Sequence, residues 1–227
     1  MAVAVDVPSE SGPTRGYLAT PDIGEGTPVL ILHGGRGLTP FFPSFADRLA
    51  KDGHLALALD LYEGQVATTP GESDRLFRDF DRRSRATHDR LSGAVDYLVA
   101  HPAATVPGIG VIGFSLGGRL ALALTDPSAR SDRVRAAVTF YGLNPGVDYA
   151  RSQSAYLGHF AENDPFHPGT EVRQQETVLR EARRDVEFFV YPGTRHGFFE
   201  SDRPEHDADA AEVAWDRTLS FLDHRLR

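Results

Sequence analysis

Ser115, Asp164 and His196 are the residues whose types and settings could do chemistry together. Ser115 stands in Gly113-Phe114-Ser115-Leu116-Gly117-Gly118, between a short apolar run (Ile109, Val111, Ile112) and an Ala/Leu-rich stretch. A serine hydroxyl is a weak nucleophile near neutral pH. It needs an imidazole to take its proton, and a buried carboxylate to fix that ring's tautomer and stabilise its charged form. The G-x-S-x-G spacing, with a strand before and a helix after, is that of a nucleophile elbow. Such a turn strains the serine backbone and projects the hydroxyl from the sheet edge. Side chains two residues either side would collide, and Gly113 and Gly117 carry none. The following helix aims its N-terminal amides and positive dipole end at the serine oxygen. The bland alternative, a Gly-rich turn with an incidental serine, is disfavoured by the flanking pattern and by the partners.

Asp164 and His196, like Ser115, each fall just after a predicted strand. In a parallel sheet all three can therefore meet beyond the carboxyl ends of the strands. His196 lies in a turn between Gly193 and Gly197 that leaves the backbone free to point the ring at Ser115. Asp164 competes with Glu162 and Asp148 for the carboxylate role, and Asp164-Pro165 is favoured by its place after the strand. His33 reads as a scaffold for its loop, and His159 and His167 as packing or polar loop residues. A metal site from His159, Asp164 and His167 matches no standard ligand spacing, so no metal is expected there. Two backbone amides, those of Leu116 and of Gly35 in His33-Gly34-Gly35, are the expected oxyanion donors. The Gly34-Gly35-Arg36-Gly37 run has neither a Walker lysine nor a GxGxxG register, which argues against a phosphate cradle. Phe41, Phe42, Tyr62, Phe198 and Phe199 are expected on loops at the same sheet edge, some of them lining an apolar acyl or alcohol pocket.

The elements that must position these residues alternate along the chain. Strands are expected over residues 15–20 (an edge strand), 29–32, 54–59, 109–112, 134–141, 154–160 and 186–191. Helices are expected over 44–52 (capped by Ser44), 73–100, from the elbow to about Pro127, over 170–184 and over 208–227, with a loop over 65–72. Strand–helix alternation of this kind argues for an α/β fold: a mostly parallel central sheet covered by helices on both faces. With 227 residues, 41% of them apolar, the chain suits one domain over 1–227. Residues 1–13 are polar and Pro/Gly-punctuated and are expected to be loosely held.

Composition excludes several classes of function. The formal net charge is −8, and the arginines of residues 78–85 are interspersed with acids, so no nucleic-acid partner is expected. With no cysteine there is no disulfide, thiolate metal site or cysteine nucleophile. The N-terminal stretch lacks a basic region and a long apolar run, and no membrane-length apolar stretch occurs. A cytoplasmic protein with no membrane partner, monomeric or homodimeric, is the expectation.

Five stretches carry a resemblance to the dienelactone hydrolase family: VLILHGGRGL, HLALALDLYEG, GVIGFSLGGRLAL, GHFAENDPFHP and FVYPGTRHGFF. It runs from about Arg15 to the C-terminus, and the order Ser, Asp, His is that of α/β-hydrolases. The resemblance implies a compact α/β-hydrolase core with little or no lid, a triad of Ser115, Asp164 and His196, and cofactor-free hydrolysis of small-molecule esters, lactones or thioesters. Three departures accompany it. Ser115 stands where the best-known members have cysteine, and Gly34 where they have a glutamate that gates the thiolate. Glu200 falls where an arginine would help bind the dienelactone carboxylate; arginines within 78–85 are other candidates for that anion. The expected reaction is ester hydrolysis through an acyl-enzyme. The rival readings are a non-catalytic ligand-binding protein on the same fold and a lyase or acyltransferase using the same triad.

Overall fold

A computed structural model of the chain describes residues 1–126 and 131–226. Pro127 and Arg227, expected at helix ends, lie outside the described residues. The fold is α/β with an eight-stranded, mostly parallel sheet, and the backbone groups into two compact units, residues 1–109 and 110–227.

The first unit contains β1 (Ala2–Val7), β2 (Thr14–Ala19), β3 (Thr27–Leu32), α1 (Phe41–Lys51), β4 (His54–Leu59), α2 (Pro70–Asp81) and α3 (Ser84–Ala100). Its strands run in the order β1-β2-β4-β3, the first two pairings antiparallel and the third parallel. The Leu/Ala/Val runs of β3 and β4 are buried almost throughout, as central strands covered on both faces must be. Residues 1–13 are not loosely held. β1 pairs with β2 from Ala2 opposite Ala19 to Val7 opposite Thr14, and Val7 is fully buried. The β-branched alternation Val3, Val5, Val7 suits a pleated strand and outweighs the polar residues that follow. Consequently β2 lies between β1 and β4 and is not the edge strand expected.

Two helices also differ from expectation. α1 starts at Phe41 with Pro40 as its N-cap, and the Ser44 hydroxyl donates back to the Pro40 carbonyl at 3.1 Å instead of capping. The single helix expected over 73–100 is two helices. α2 begins earlier, because Thr69 and Glu72 form a capping box and Pro70 takes the first turn. The apolar stripe Leu76, Phe80, Leu91, Val95, Leu98 continues in phase past the break at Arg82 and Arg83, so periodicity alone does not mark it.

The second unit contains β5 (Ile109–Phe114) from its second residue on, α4 (Leu116–Ala123), β6 (Val134–Phe140), β7 (Ala155–Asn163), α5 (Gly169–Glu181), β8 (Val186–Arg195) and α6 (Ala208–Leu226). Strand order is β5-β6-β7-β8, with β7 parallel to both neighbours. α4 and α6 pack on β6, α6 also on β7, and α5 on β8. Within the sheet, His159 of β7 is fully buried. Its Nδ1 meets the Tyr191 hydroxyl of β8 at 2.8 Å and its Nε2 the Thr218 hydroxyl of α6 at 3.0 Å.

β7 and β8 both run further than expected, and their register changes on the way. Tyr156 lies opposite Val186 and Ala161 opposite Tyr191, but beyond a bulge Asn163 lies opposite Arg195. In an unbroken register Asn163 would face Gly193. Pro192, which has no N–H, and Gly193, with φ of 74°, supply the irregularity, and the Gly193 amide donates to Glu162 Oε2 at 2.8 Å.

Candidate active site

Ser115 sits between β5 and α4 with φ 52° and ψ −110°, a conformation few non-glycine residues adopt. Its neighbours hold it there. Its amide donates to the Phe140 carbonyl at the end of β6 at 2.8 Å, and its carbonyl accepts from the Arg119 amide at 3.1 Å. A Cβ at position 113 would lie 2.0 Å from the Gly117 carbonyl oxygen, and one at 142 would lie 2.5 Å from that of Ser115. Glycine is therefore required at 113 and at 142, and Gly142 is a contact that the motif did not announce. Leu116 opens α4, so its amide has no acceptor within the helix.

The changed register sends Asp164 and His196 out of the sheet side by side, each one residue past the facing pair Asn163 and Arg195. Asp164 Oδ2 lies 2.7 Å from His196 Nδ1, and His196 Nε2 lies 3.0 Å from Ser115 Oγ. The Asp164 side chain is 1% exposed and that of His196 10%. Asp164 Oδ1 accepts from the amides of Phe166 and His167 at 2.8 and 3.3 Å. Burial alone would raise the Asp164 pKa. The bond to His196, its charge and the two amides outweigh that and hold the carboxyl below its ordinary value. Of the competing acids, the Glu162 carboxylate accepts from the Gly193 amide at 2.8 Å.

Three aromatic rings surround the His196 imidazole: Tyr141 at 4.7 Å, Phe166 edge-on at 4.9 Å and His167 at 6.2 Å between centroids. Phe166 is two-thirds exposed, whereas Tyr141 is fully buried and has φ of 42°. The Tyr141 hydroxyl donates to Glu200 Oε1 at 2.8 Å, and the same oxygen pairs with Arg203 Nε at 3.1 Å. Burial and the neighbouring Glu200 push the Tyr141 pKa well up, so its proton stays in place as the donor. Burial also raises Glu200, against the pull of Arg203 and the Tyr141 hydrogen bond. Sequence reasoning missed Tyr141 and Arg203, and it saw Glu200 only as a departure from a pattern.

Comparison with known proteins shows the family. A sequence model described as the dienelactone hydrolase family matches residues 14–226. The chain belongs to the dienelactone hydrolase family. It is similar to protein usf of Aquifex pyrophilus, 31% identical over 93% of this chain and 94% of that protein. It is also similar to a carboxymethylenebutenolidase of Rhodococcus opacus, 29% identical over 92% and 85% of the two chains. A dienelactone hydrolase-like promiscuous phosphotriesterase from metagenomic libraries has the same fold. Its TM-score is 0.87 at 22% identity, over 100% of this chain and 99% of the other.

The remaining expected residues of this family member lie as follows. Gly35 is in the first unit, where its carbonyl accepts from the Ser73 hydroxyl at 2.9 Å. Phe41 and Phe42 open α1 instead of lying on a loop, and both are buried. Tyr62 is buried against His33, 4.8 Å between centroids, and against Phe80, 5.7 Å away; its hydroxyl has no hydrogen-bond partner among the described residues. Phe198 packs between Tyr141 and Tyr191, and Phe199 against Phe114 and Phe140, all of them buried. His33 Nδ1 meets the Gly34 carbonyl of its own loop at 2.8 Å, and its Nε2 accepts from the Leu61 amide after β4 at 3.1 Å. Among the described residues, no helix is long and apolar enough to cross a membrane.

Proposed function

We propose that this member of the family is a serine hydrolase that cleaves carboxylic ester, lactone or thioester bonds of small molecules through an acyl-enzyme. The observation that carries the reading is the unbroken chain from Asp164 Oδ2 to His196 Nδ1 at 2.7 Å and from His196 Nε2 to Ser115 Oγ at 3.0 Å. Ser115 Oγ attacks the substrate carbonyl carbon while its proton passes to His196 Nε2. Asp164, held ionised, stabilises the resulting imidazolium and keeps Nδ1 as the proton-bearing nitrogen. The Leu116 amide, at the start of α4, is a donor to the tetrahedral oxyanion in this reading. The intermediate collapses as His196 returns the proton to the leaving oxygen or sulfur. Water then attacks the Ser115 ester with His196 again as base, which regenerates the enzyme. The carboxymethylenebutenolidase name of the Rhodococcus relative supports a lactone among the substrates.

The test is fluorophosphonate labelling located by mass spectrometry, with p-nitrophenyl acetate turnover of the parent, Ser115→Ala and His196→Ala. We expect adduct on Ser115, and a loss in kcat of about 10⁴-fold or more in each variant. An unlabelled protein with turnover indifferent to both substitutions would overturn the reading in favour of ligand binding.

A further inference from the structure

The turn after β6 touches both reacting residues. Its Phe140 carbonyl accepts the Ser115 amide at 2.8 Å, and Gly142 lies so close to Ser115 that a Cβ there would sit 2.5 Å from the Ser115 carbonyl oxygen. Between them Tyr141, in a left-handed conformation, lays its ring 4.7 Å from that of His196. The left-handed backbone costs free energy for an aromatic residue, so something must hold it. Two bonds do so. The Tyr141 amide donates to the His159 carbonyl at 2.8 Å, and the hydroxyl is anchored on Glu200 at 2.8 Å.

Glu200 belongs to the same loop as His196 and is itself tied to Arg203 at 3.1 Å. The Arg203 side chain lies directly beneath Gly197, where a Cβ would come within 2.6 Å of Arg203 Cδ. Arg203, Glu200, Tyr141 and the His196 ring thus form one contiguous support. The Tyr141 hydroxyl is engaged with Glu200 and fully buried, so it is not a proton donor to substrate.

We infer that Tyr141 is a positioning residue: anchored by Glu200, it sets the His196 ring against Ser115 from the same turn that fixes the Ser115 backbone. The inference rests on the triad reading above. Proton transfer from Ser115 to His196 depends steeply on their separation, since a misplacement of about 1 Å can cost about 10²-fold in rate. Loss of the anchor leaves the ring in place but loosely aimed, which lowers kcat without touching substrate binding.

The experiment measures p-nitrophenyl acetate kinetics per Ser115 site labelled to completion by fluorophosphonate, so that misfolded protein does not count. The variants are Tyr141→Phe, Glu200→Gln and the two combined. We expect Tyr141→Phe to lower kcat per site about tenfold with KM within about twofold. Glu200→Gln, which keeps an acceptor for the hydroxyl, costs about threefold, and the double variant equals Tyr141→Phe alone because both act through one linkage. Unchanged kcat in Tyr141→Phe, a raised KM at constant kcat, or losses that simply multiply would overturn the inference. If Tyr141→Phe does not fold, Glu200→Gln decides alone: the same threefold loss supports the inference and an unchanged kcat overturns it. A parent protein unlabelled at Ser115 overturns the triad reading and this one with it. A labelled parent with unaffected variants overturns only the role of Tyr141.

Discussion

At the scale of single residues, the sharpest prediction concerns Asp164. Its side chain is 1% exposed and bonded to His196 Nδ1 at 2.7 Å, and its pKa is held below the ordinary value. Asp164→Asn offers an amide of the same shape that can donate to Nδ1. His196 then carries its proton on Nε2, facing Ser115, and cannot accept another. We expect kcat on p-nitrophenyl acetate to fall about 10⁴-fold with little change in KM. Glu162→Gln, at a carboxylate that accepts from the Gly193 amide, should leave kcat within about twofold. A larger effect at Glu162 than at Asp164 would refute the assignment. These residues were legible in the sequence because each has a short-range signature, namely two glycines around Ser115 and an apolar strand run shortly before Asp164 and His196. Tyr141 was not legible. Its part depends on a left-handed φ and on a partner, Glu200, fifty-nine residues away, neither of which leaves a local pattern.

At the scale of elements, the alternation of strand and helix could be read from apolar runs, because buried parallel strands are apolar along their whole length. What could not be read was where β7 and β8 stop. Glu162 and Asn163, like Pro192 and Gly193, look like loop residues, yet they remain in the sheet because backbone pairing continues past the last apolar position. The bulge that brings Asp164 opposite His196 therefore lies in the stretch where composition is least informative. β1 was missed for the opposite reason: its apolar alternation is short and was outweighed by the polar residues after it. It carries weight nonetheless. Deleting residues 1–8 removes the β1–β2 pairing and the fully buried Val7, worth about 2 kcal/mol for that side chain alone. The expected drop in Tm is about 4–8 °C or more, measured by circular dichroism. An unchanged Tm would mean that β1 contributes nothing.

At the scale of the whole molecule, the second unit carries a buried histidine that gives stability a pH dependence of predictable sign. Burial and nearby Arg217 lower the His159 pKa from 6.5 to about 3. Above about pH 6.5 His159 is neutral both folded and unfolded and contributes no slope. Between there and about pH 3 the unfolded chain takes up a proton that the native protein refuses, so stability falls as pH falls, by about 1.4 kcal/mol per unit. His33, buried and likewise shifted down, adds to the same trend. Urea melts at pH 7, 6 and 5 should show the decline, and His159→Gln should remove one proton's share of it. A slope identical in parent and variant would contradict the assignment. Ser115, with φ of 52°, has a different thermodynamic consequence. Its conformation costs about 1–3 kcal/mol, which is returned as soon as the Phe140 carbonyl or the Gly142 backbone lets go. The elbow is a loaded spring whose catch is made of neighbouring backbone. Relaxing this one turn recovers that energy without dismantling the sheet, so we expect turnover to be lost on heating at a lower temperature than the helical circular dichroism signal; coincident transitions would refute it.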